Sequence, residues 1–253
     1  MAVLEVDKLG IAFGGLRALE DVHFKVEEGS IVGLIGPNGA GKTTVFNLLT
    51  GVYTPTEGTI RLNGESILKK KTYQITRSGL ARTFQNIRLF KDMTVIDNVK
   101  TAMNSQMKYS AFSGIFRLPS YRKEEDQVTA RASELLDVFG LSGQAGDLAR
   151  NLPYGKQREL EIARALASSP KVLLLDEPAA GMNPTETQSL LEAVRLIRER
   201  FQVSVLLIEH DMSFVMGLCE HIIVLDYGRI IAEGSADEIR RNPKVIAAYL
   251  GGE

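Results

Sequence analysis

Hydrophobic and polar residues alternate along the first part of the chain. Residues 4–9 (LEVDKL) and 22–28 (VHFKVEE) alternate with a period of two, which is typical of antiparallel strands. Residues 30–36 (SIVGLIG) form a nearly continuous apolar run, as in strands that are buried on both faces. A helix is predicted for residues 42–50, and two further short strands for the segments GTIRLNG and LARTF. The pattern therefore predicts a β-rich first part.

The middle of the chain, from about Thr94 to Gly140, has a helical pattern instead. Between residues 121 and 139, apolar residues recur at spacings of three and four, which places them on one face of a helix. These residues are Val128, Ala132, Leu135, Leu136 and Phe139. We interpret residues 94–150 as an inserted helical subdomain.

After Asn151 predicted helices and strands alternate, which is typical of a parallel sheet. The predicted helices cover residues 156–168, 184–200 and 211–219, and the predicted strands residues 172–175, 203–208 and 222–225. Ser235 and Glu238 form a capping box that predicts a last helix. The expected fold is one α/β domain over residues 1–253, with a mixed-sheet core and an antiparallel β subdomain in residues 1–93 and 151–253.

Composition excludes several classes of protein. Hydrophobic residues make up 44% and charged residues 24% of the 253 residues, and the net charge of -1 gives no overall attraction to nucleic acid. The single cysteine, Cys219, excludes an internal disulfide, and its apolar flanks predict a buried thiol. We expect no signal peptide and no membrane span, because the apolar runs are much shorter than the ~20 residues that a spanning helix needs.

The first chemical motif is GPNGAGKTT at residues 36–44, between a predicted strand and a predicted helix. It satisfies the P-loop pattern G-x-x-x-x-G-K-[ST], in which backbone N–H groups surround phosphates. Lys42 is then predicted to contact the β- and γ-phosphates, and Thr43 to hold Mg²⁺. The predicted nucleotide-binding residues of this loop are Gly36, Asn38, Gly39, Ala40, Gly41, Lys42, Thr43 and Thr44.

A second motif follows the apolar strand at residues 172–175. Asp176 is predicted to serve Mg²⁺, and Glu177 to orient and deprotonate the attacking water. We find no Asn-Lys-x-Asp guanine-binding motif, which disfavours a GTPase. The two motifs together predict a nucleoside triphosphatase.

The segment NLPYGKQ at residues 151–157, here called the signature segment, identifies the type of ATPase. It resembles the Leu-Ser-Gly-Gly-Gln signature of ABC ATPases and precedes the acidic strand, as in that family. Pro153 and Tyr154 replace the usual serine and first glycine, and Asn183 replaces a usual aspartate further along. These departures are expected to change the rate of turnover without abolishing it.

The resemblance implies roles for three further residues. Phe13 would stack on the adenine, Gln85 would sense Mg²⁺, and His210 would be the switch histidine that acts with Lys42 and Glu177 in catalysis. Each residue has an alternative interpretation from the sequence alone. Phe13 could be a core aromatic, Gln85 a solvated loop residue and His210 a buried structural histidine.

The same resemblance implies that two subunits share ATP and Mg²⁺ in a head-to-tail dimer. Tyr154, Gly155, Lys156 and Gln157 would then contact the ATP held by the partner. The second subunit would be a copy of this chain or, in the cell, a paralogue. Other implied partners are two integral-membrane permeases and, indirectly, a periplasmic or extracellular solute-binding protein, with no nucleic acid. The implied location is peripheral, on the cytoplasmic face of the inner membrane.

A finer resemblance is to the larger ATPase of bacterial branched-chain amino-acid importers. It rests on the segments GLARTFQNIRLFKDMTVIDNV, LPYGKQRELEIAR, EPAAGMNP, LLIEHDM and VIAAYLG. Residues 109–120 match an insertion of one paralogue, whose Phe112, Ile115 and Phe116 either pack locally or contact a partner. The alternatives are urea uptake, lipopolysaccharide export, a non-transport ABC ATPase and a regulator that binds nucleotide without hydrolysis.

Overall fold

The structure is a computed structural model that describes residues 1–103 and 119–250. Two compact units are present: the first comprises Met1–Gln85 and Lys171–Glu253, and the second comprises Asn86–Pro170. The first unit contains helices and strands, and the described part of the second unit contains helices.

Ten strands occur in the described residues, all of them in the first unit. In chain order they are β1 (Ala2–Phe13), β2 (Leu16–Glu27), β3 (Ile31–Ile35), β4 (Glu57–Leu62), β5 (Glu65–Ser66), β6 (Leu80–Arg82), β7 (Val172–Asp176), β8 (Ser204–Ile208), β9 (His221–Asp226) and β10 (Arg229–Gly234). They form a four-stranded antiparallel sheet in the order β2-β1-β4-β5 and a six-stranded sheet in the order β10-β9-β3-β8-β7-β6.

Nine α-helices of at least six residues lie in the same described ranges. They are α1 (Lys42–Leu49), α2 (Thr72–Arg77), α3 (Val95–Met103), α4 (Pro119–Val138), α5 (Tyr154–Leu166), α6 (Pro184–Phe201), α7 (Met212–Leu218), α8 (Ala236–Arg241) and α9 (Pro243–Leu250). Of the helices in residues 1–103 and 119–250, none is long and apolar enough to cross a bilayer.

The six-stranded sheet confirms the predicted parallel core. Strands β3, β6, β7, β8 and β9 run parallel, and every residue of β3, β7 and β8 is buried, as the apolar runs predicted. The antiparallel pair β1 and β2 confirms the alternating N-terminal pattern. Side chains from both sheets and α1 share one hydrophobic core. The parallel strands therefore bring residues that are distant in sequence to one edge of the sheet.

Two elements of the first unit had no clear sequence signal. The hairpin of β9 and β10 closes through Tyr227 and Gly228, which both have positive φ angles of 41° and 76°. Such a two-residue turn is usually marked by Asn-Gly or Asp-Gly rather than Tyr-Gly. Helix α2 buries only Ile75, so its sequence shows no apolar period.

The capping box of Ser235 and Glu238 is confirmed, since Glu238 accepts the Ser235 amide at 2.7 Å.

The second unit is helical. Helix α3 packs against α4 and α5, and two 3-10 helices, Ser142–Gln144 and Ala149–Asn151, lead into α5. The predicted apolar face is confirmed, because its five residues are all buried. These are Val128, Ala132, Leu135, Leu136 and Phe139. The insertion residues Phe112, Ile115 and Phe116 lie outside the described residues.

Cys219 follows α7 and is buried, as predicted. Burial raises the pKa of its thiol to about 12, and the Glu220 charge acts in the same direction. Because the thiolate is the reactive form, we expect negligible reaction of the folded protein with a disulfide reagent at mildly alkaline pH. In guanidinium chloride, one thiol per chain should react, as measured by the absorbance of the thiolate that the reagent releases. Rapid reaction of the folded chain would contradict the burial of this thiol.

Candidate functional site

The phosphate-binding loop, residues 36–44, connects β3 to α1 in the first unit. Gly36 has a φ angle of 150°, and a Cβ atom there would lie 1.9 Å from the backbone oxygen of Leu225, so only glycine fits. The loop is also supported from the β9–β10 turn, because the Gly228 amide donates to the Ala40 carbonyl at 2.9 Å. Asn38, Gly39 and the Thr43 side chain are on the exposed side of the loop. The loop is therefore held by the β9–β10 hairpin on one side and is exposed on the other.

Lys42 is the buried cation of this loop. Its Nζ donates hydrogen bonds to the carbonyls of Gly36 at 2.7 Å and Pro37 at 2.9 Å. Burial lowers the pKa of the Lys42 ammonium, and the Glu177 carboxylate opposes that shift. The ammonium is thus held at the start of α1, where the positive end of the helix dipole also favours an anion.

Two adjacent carboxylates occupy the end of β7. Asp176 is the last residue of the strand and is buried, whereas Glu177 begins the following turn with a φ angle of 48°. The Glu177 amide donates to the Ile208 carbonyl of β8 at 2.9 Å. The turn directs the two carboxylates to different surroundings, which agrees with the different roles predicted for them.

The Glu177 carboxylate lies between two predicted site residues. One oxygen accepts a hydrogen bond from Gln85 Nε2 at 2.8 Å, and the other lies 2.8 Å from His210 Nε2. The His210 side chain is 43% exposed, so its interpretation as a buried structural histidine is wrong. Gln85 is exposed, as its alternative interpretation held, but its amide contacts the carboxylate. The three residues form one hydrogen-bonded group.

Asp176 has a partner that the sequence analysis missed. Arg82 Nη2 donates to Asp176 Oδ2 at 2.7 Å, and the two side chains are only 6% and 7% exposed. Arg82 Nη1 also donates to Asn47 Oδ1 of α1 at 2.8 Å. The guanidinium lies 5.4 Å from the Phe46 ring centre and 5.1 Å from that of Phe84. Arg82 therefore fixes the Asp176 carboxylate within a closely packed pocket.

Phe13 lies at the end of β1, next to the turn that leads to β2. Its side chain is 44% exposed, so its interpretation as a core aromatic is wrong. The ring meets Tyr53 edge to face, with ring centres 5.2 Å apart. An exposed aromatic pair of this kind offers a surface on which a planar base can stack.

The signature segment, residues 151–157, belongs to the second unit. Tyr154, Gly155, Lys156 and Gln157 form the first turn of α5, and Pro153 occupies the N-cap position without a side-chain capping hydrogen bond. Tyr154 is exposed, whereas Gln157 Nε2 donates to the Leu152 carbonyl at 2.8 Å. The start of this helix is a suitable place for an anion, because its first N–H groups point out of the helix.

Asn183 has a local role that sequence reasoning missed. It caps α6, and its Oδ1 accepts the Glu186 amide at 3.0 Å while Glu186 accepts the Asn183 amide at 3.0 Å. Asparagine and aspartate are equally good caps. The replacement of the usual aspartate is therefore compatible with the start of α6.

Helix α9 adds a wall to the site that the sequence did not reveal. A cavity of about 880 Å³ lies between the phosphate-binding loop, His210 and residues of α9 that include Lys244 and Tyr249. Burial raises the pKa of the Tyr249 phenol, and a hydrogen bond with the backbone of Gly36 opposes that shift. A sequence signal for this contact was absent because α9 is separated from the loop by most of the chain.

The oxygen donors of this unit suit a magnesium ion. Thr43 carries a hydroxyl, Asp176 a carboxylate and Gln85 an amide oxygen, all of which are hard ligands. Magnesium is usually held in proteins by one or two carboxylates together with phosphate oxygens, so a small donor set is sufficient.

Comparison with known proteins gives matches along the chain. The family model described as ABC transporter matches residues 19–180. A second model, described as branched-chain amino acid ATP-binding cassette transporter, matches residues 229–253. The second match contains β10, α8 and α9, and residues of β10 and α9 line the cavity beside the phosphate-binding loop.

Similar proteins cover the chain almost completely. The high-affinity branched-chain amino acid transport ATP-binding proteins BraF of Pseudomonas aeruginosa and LivG of Escherichia coli are each 48% identical to it, over 98% of both chains. A solved structure, the ADP conformation of an ATP-binding cassette of an ABC transporter, matches with a TM-score of 0.86 and 31% identity over 100% of both chains.

Proposed function

Because the chain belongs to the ABC transporter family of ATP-binding proteins, we propose that it powers a membrane importer of branched-chain amino acids by hydrolysing ATP. The hydrolytic part rests on one observation, the Glu177 carboxylate held between Gln85 and His210 beside Lys42. The importer part rests on the similarity to BraF and LivG over nearly the whole chain.

The first step assigned to the chain is ATP binding. The backbone N–H groups of residues 36–44 and the N-terminus of α1 surround the phosphates, and Lys42 supplies a positive charge to the β- and γ-phosphates. Phe13 and Tyr53 lie on the exposed end of β1 and the loop after α1, where they stack on the adenine. Binding thus uses groups that are already ordered.

Hydrolysis follows at Glu177. Its carboxylate accepts the proton of the attacking water as the water oxygen bonds to the γ-phosphorus and the bond from that phosphorus to the leaving oxygen of ADP breaks. His210 keeps the carboxylate oriented through the 2.8 Å contact. Thr43, Asp176 and Gln85 would hold Mg²⁺, which supplies positive charge to the phosphate oxygens when bound. Arg82 keeps the Asp176 carboxylate in place for that role through the 2.7 Å ion pair.

A second subunit completes the site. The first turn of α5, with Tyr154 exposed at its start, is assigned to the ATP bound by the partner subunit. Pro153 stands at the position of the usual serine and offers no hydroxyl, so backbone N–H groups of Gly155 and its neighbours provide the contacts to phosphate. The partner is a copy of this chain or a paralogue, and two integral-membrane permeases bind the pair at the cytoplasmic face of the membrane.

ATP binding is tested by replacing Lys42 with alanine. The change removes a buried charge from the loop, so we expect the affinity for ATP to fall about 10- to 100-fold, the usual range for hydrogen bonds to charged groups. Calorimetric titration with ATP measures the effect. Lys25→Ala is the matched control, because it removes an exposed lysine from β2. Equal affinities of the two variants would contradict the binding role of Lys42.

The transported solute is tested in cells whose only copy of the chain is the Lys42→Ala variant. Uptake of labelled leucine should fall to background and should be normal with Lys25→Ala. Normal leucine uptake together with lost urea uptake would assign the chain to urea import instead. Normal uptake of both, with a defective outer-membrane surface, would assign it to lipopolysaccharide export.

A further inference from the structure

Glu209 is a buried carboxylate that the catalytic scheme above does not use. It follows β8 directly, and only 4% of the residue is exposed. One oxygen accepts the backbone amide of Ala179 at 2.7 Å. The other accepts the amides of His210 at 2.8 Å and Asp211 at 3.3 Å. Glu209 therefore joins two loops that follow different strands.

The first of these loops contains a strained residue. Glu177 has a φ angle of 48°, in the left-handed region that side chains other than glycine rarely adopt. A strained backbone persists only where its surroundings hold it. Here the turn is attached to the end of β8 at two points, by the bond from Glu177 N to Ile208 O and by the bond from Ala179 N to Glu209 Oε1. One of these two attachments is the Glu209 side chain.

The second loop contains His210, whose ring contacts the Glu177 carboxylate. The His210 amide is fixed by Glu209, so one carboxylate holds the backbone of His210 and that of Ala179, two residues after Glu177. The Glu177 amide itself is held by the Ile208 carbonyl, which lies just before Glu209 in the chain. The separation between Glu177 and His210 therefore depends on Glu209.

The electrostatic surroundings of Glu209 are unfavourable to a charge. Burial raises the pKa of its carboxyl, the nearby Glu177 charge raises it further, and the three backbone amides act against both effects. A buried carboxylate in this position is tolerated only while its hydrogen bonds are formed. Glu209 thus favours the single arrangement of the two loops in which all three amides point to it.

We propose that Glu209 is a positioning residue for ATP hydrolysis, which holds the strained Glu177 turn and the His210 loop together. The role rests on the hydrolytic function assigned to Glu177. Glu209 is buried and acts through Glu177 and His210, the residues assigned to the reaction. Glu209 has no contact with Lys42 or with residues 36–44 among its hydrogen bonds, so ATP binding is independent of it.

The test compares Glu209→Ala and Glu209→Gln in the full-length chain. Displacement of a catalytic group by about 1 Å can cost ~100-fold in rate, so we expect kcat to fall roughly 10- to 100-fold in Glu209→Ala. Glutamine keeps one acceptor oxygen and should lose less. The KM for ATP and the calorimetric affinity should stay at the wild-type values in both variants. Unchanged kcat in a folded Glu209→Ala or Glu209→Gln protein would overturn the proposal.

Asp211→Ala is the matched control, because Asp211 caps α7 in the same loop through the amides of Ser213 and Phe214. It should lower the melting temperature and leave kcat near the wild-type value. An equal loss of kcat in Asp211→Ala would show that general loosening of the loop explains the effect of Glu209.

A double variant separates this role from the role of Glu177. Glu209→Ala added to Glu177→Gln should cause little further loss, because the group that it positions is already gone. A full additional loss would overturn the proposal. If Glu177→Gln alone hydrolyses ATP normally, the proposed function fails. If it is inactive while Glu209→Ala is fully active, only the positioning role fails.

Discussion

Replacement of Glu177 by glutamine is expected to lower the rate of ATP hydrolysis by roughly 10²- to 10⁴-fold, the usual contribution of a positioned base. Glutamine has the same shape and cannot accept the proton of the attacking water. It retains an oxygen for the contact with Gln85 or His210, so the turn should keep its conformation. The ATP affinity should not fall, because Lys42 and its loop are unchanged.

The same variant should accumulate a closed dimer with ATP bound, since hydrolysis is the step that reopens it. Phosphate release measures the rate, and light scattering with and without ATP measures the dimer. Glu192→Gln, an exposed change on α6, is the control and should behave as the wild type. Near-normal phosphate release by Glu177→Gln would remove Glu177 from its assigned role.

Replacement of Arg82 by leucine is expected to lower the free energy of unfolding by about 3–5 kcal/mol, because it leaves the buried Asp176 charge without its partner. The loss also includes the hydrogen bond to Asn47 and the contacts with the Phe46 and Phe84 rings. Urea denaturation monitored by circular dichroism measures the change. The size of the effect follows from the near-complete burial of both side chains.

A double variant separates charge from packing at this site. Arg82→Leu combined with Asp176→Asn removes both charges, so most of the lost stability should return. Arg17→Leu is the control, because its ion pairs with Glu20 and Glu57 are exposed and contribute little to stability. A loss in Arg82→Leu no larger than that in Arg17→Leu would contradict the importance of the buried pair.

The sequence predicted the core of the fold because burial on both faces leaves a direct signal. Strands β3, β7 and β8 are runs of apolar residues, and each was predicted within one or two residues. The β9–β10 hairpin was missed because Tyr227 adopts a positive φ angle that its side chain does not indicate. Helix α2 was missed because it buries only Ile75, and a single buried residue gives the sequence no helical periodicity of apolar residues.

The residues of the candidate site also include some that the sequence could predict and some that it could not. The glycine loop and the acidic strand end could be predicted because their chemistry requires particular residues at fixed spacing. The roles of Phe13, Gln85, His210 and the signature segment came only from resemblance, and they stay predictions. Arg82, Glu209 and Tyr249 could not be found, because each acts through a contact with a residue that is distant in sequence.

The order of strands in the parallel sheet also affects how the protein is made. Strand β3, which carries the phosphate-binding loop, pairs only with β8 and β9 among the described strands. Both are synthesised about 170 or more residues after β3, so at ~5–20 residues/s a ribosome needs roughly 10 to 30 s to supply the first of them. During that interval the most apolar strand of the first half has no neighbour in its sheet. Nascent chains of this protein therefore expose an unpaired strand edge, the kind of surface that chaperones protect.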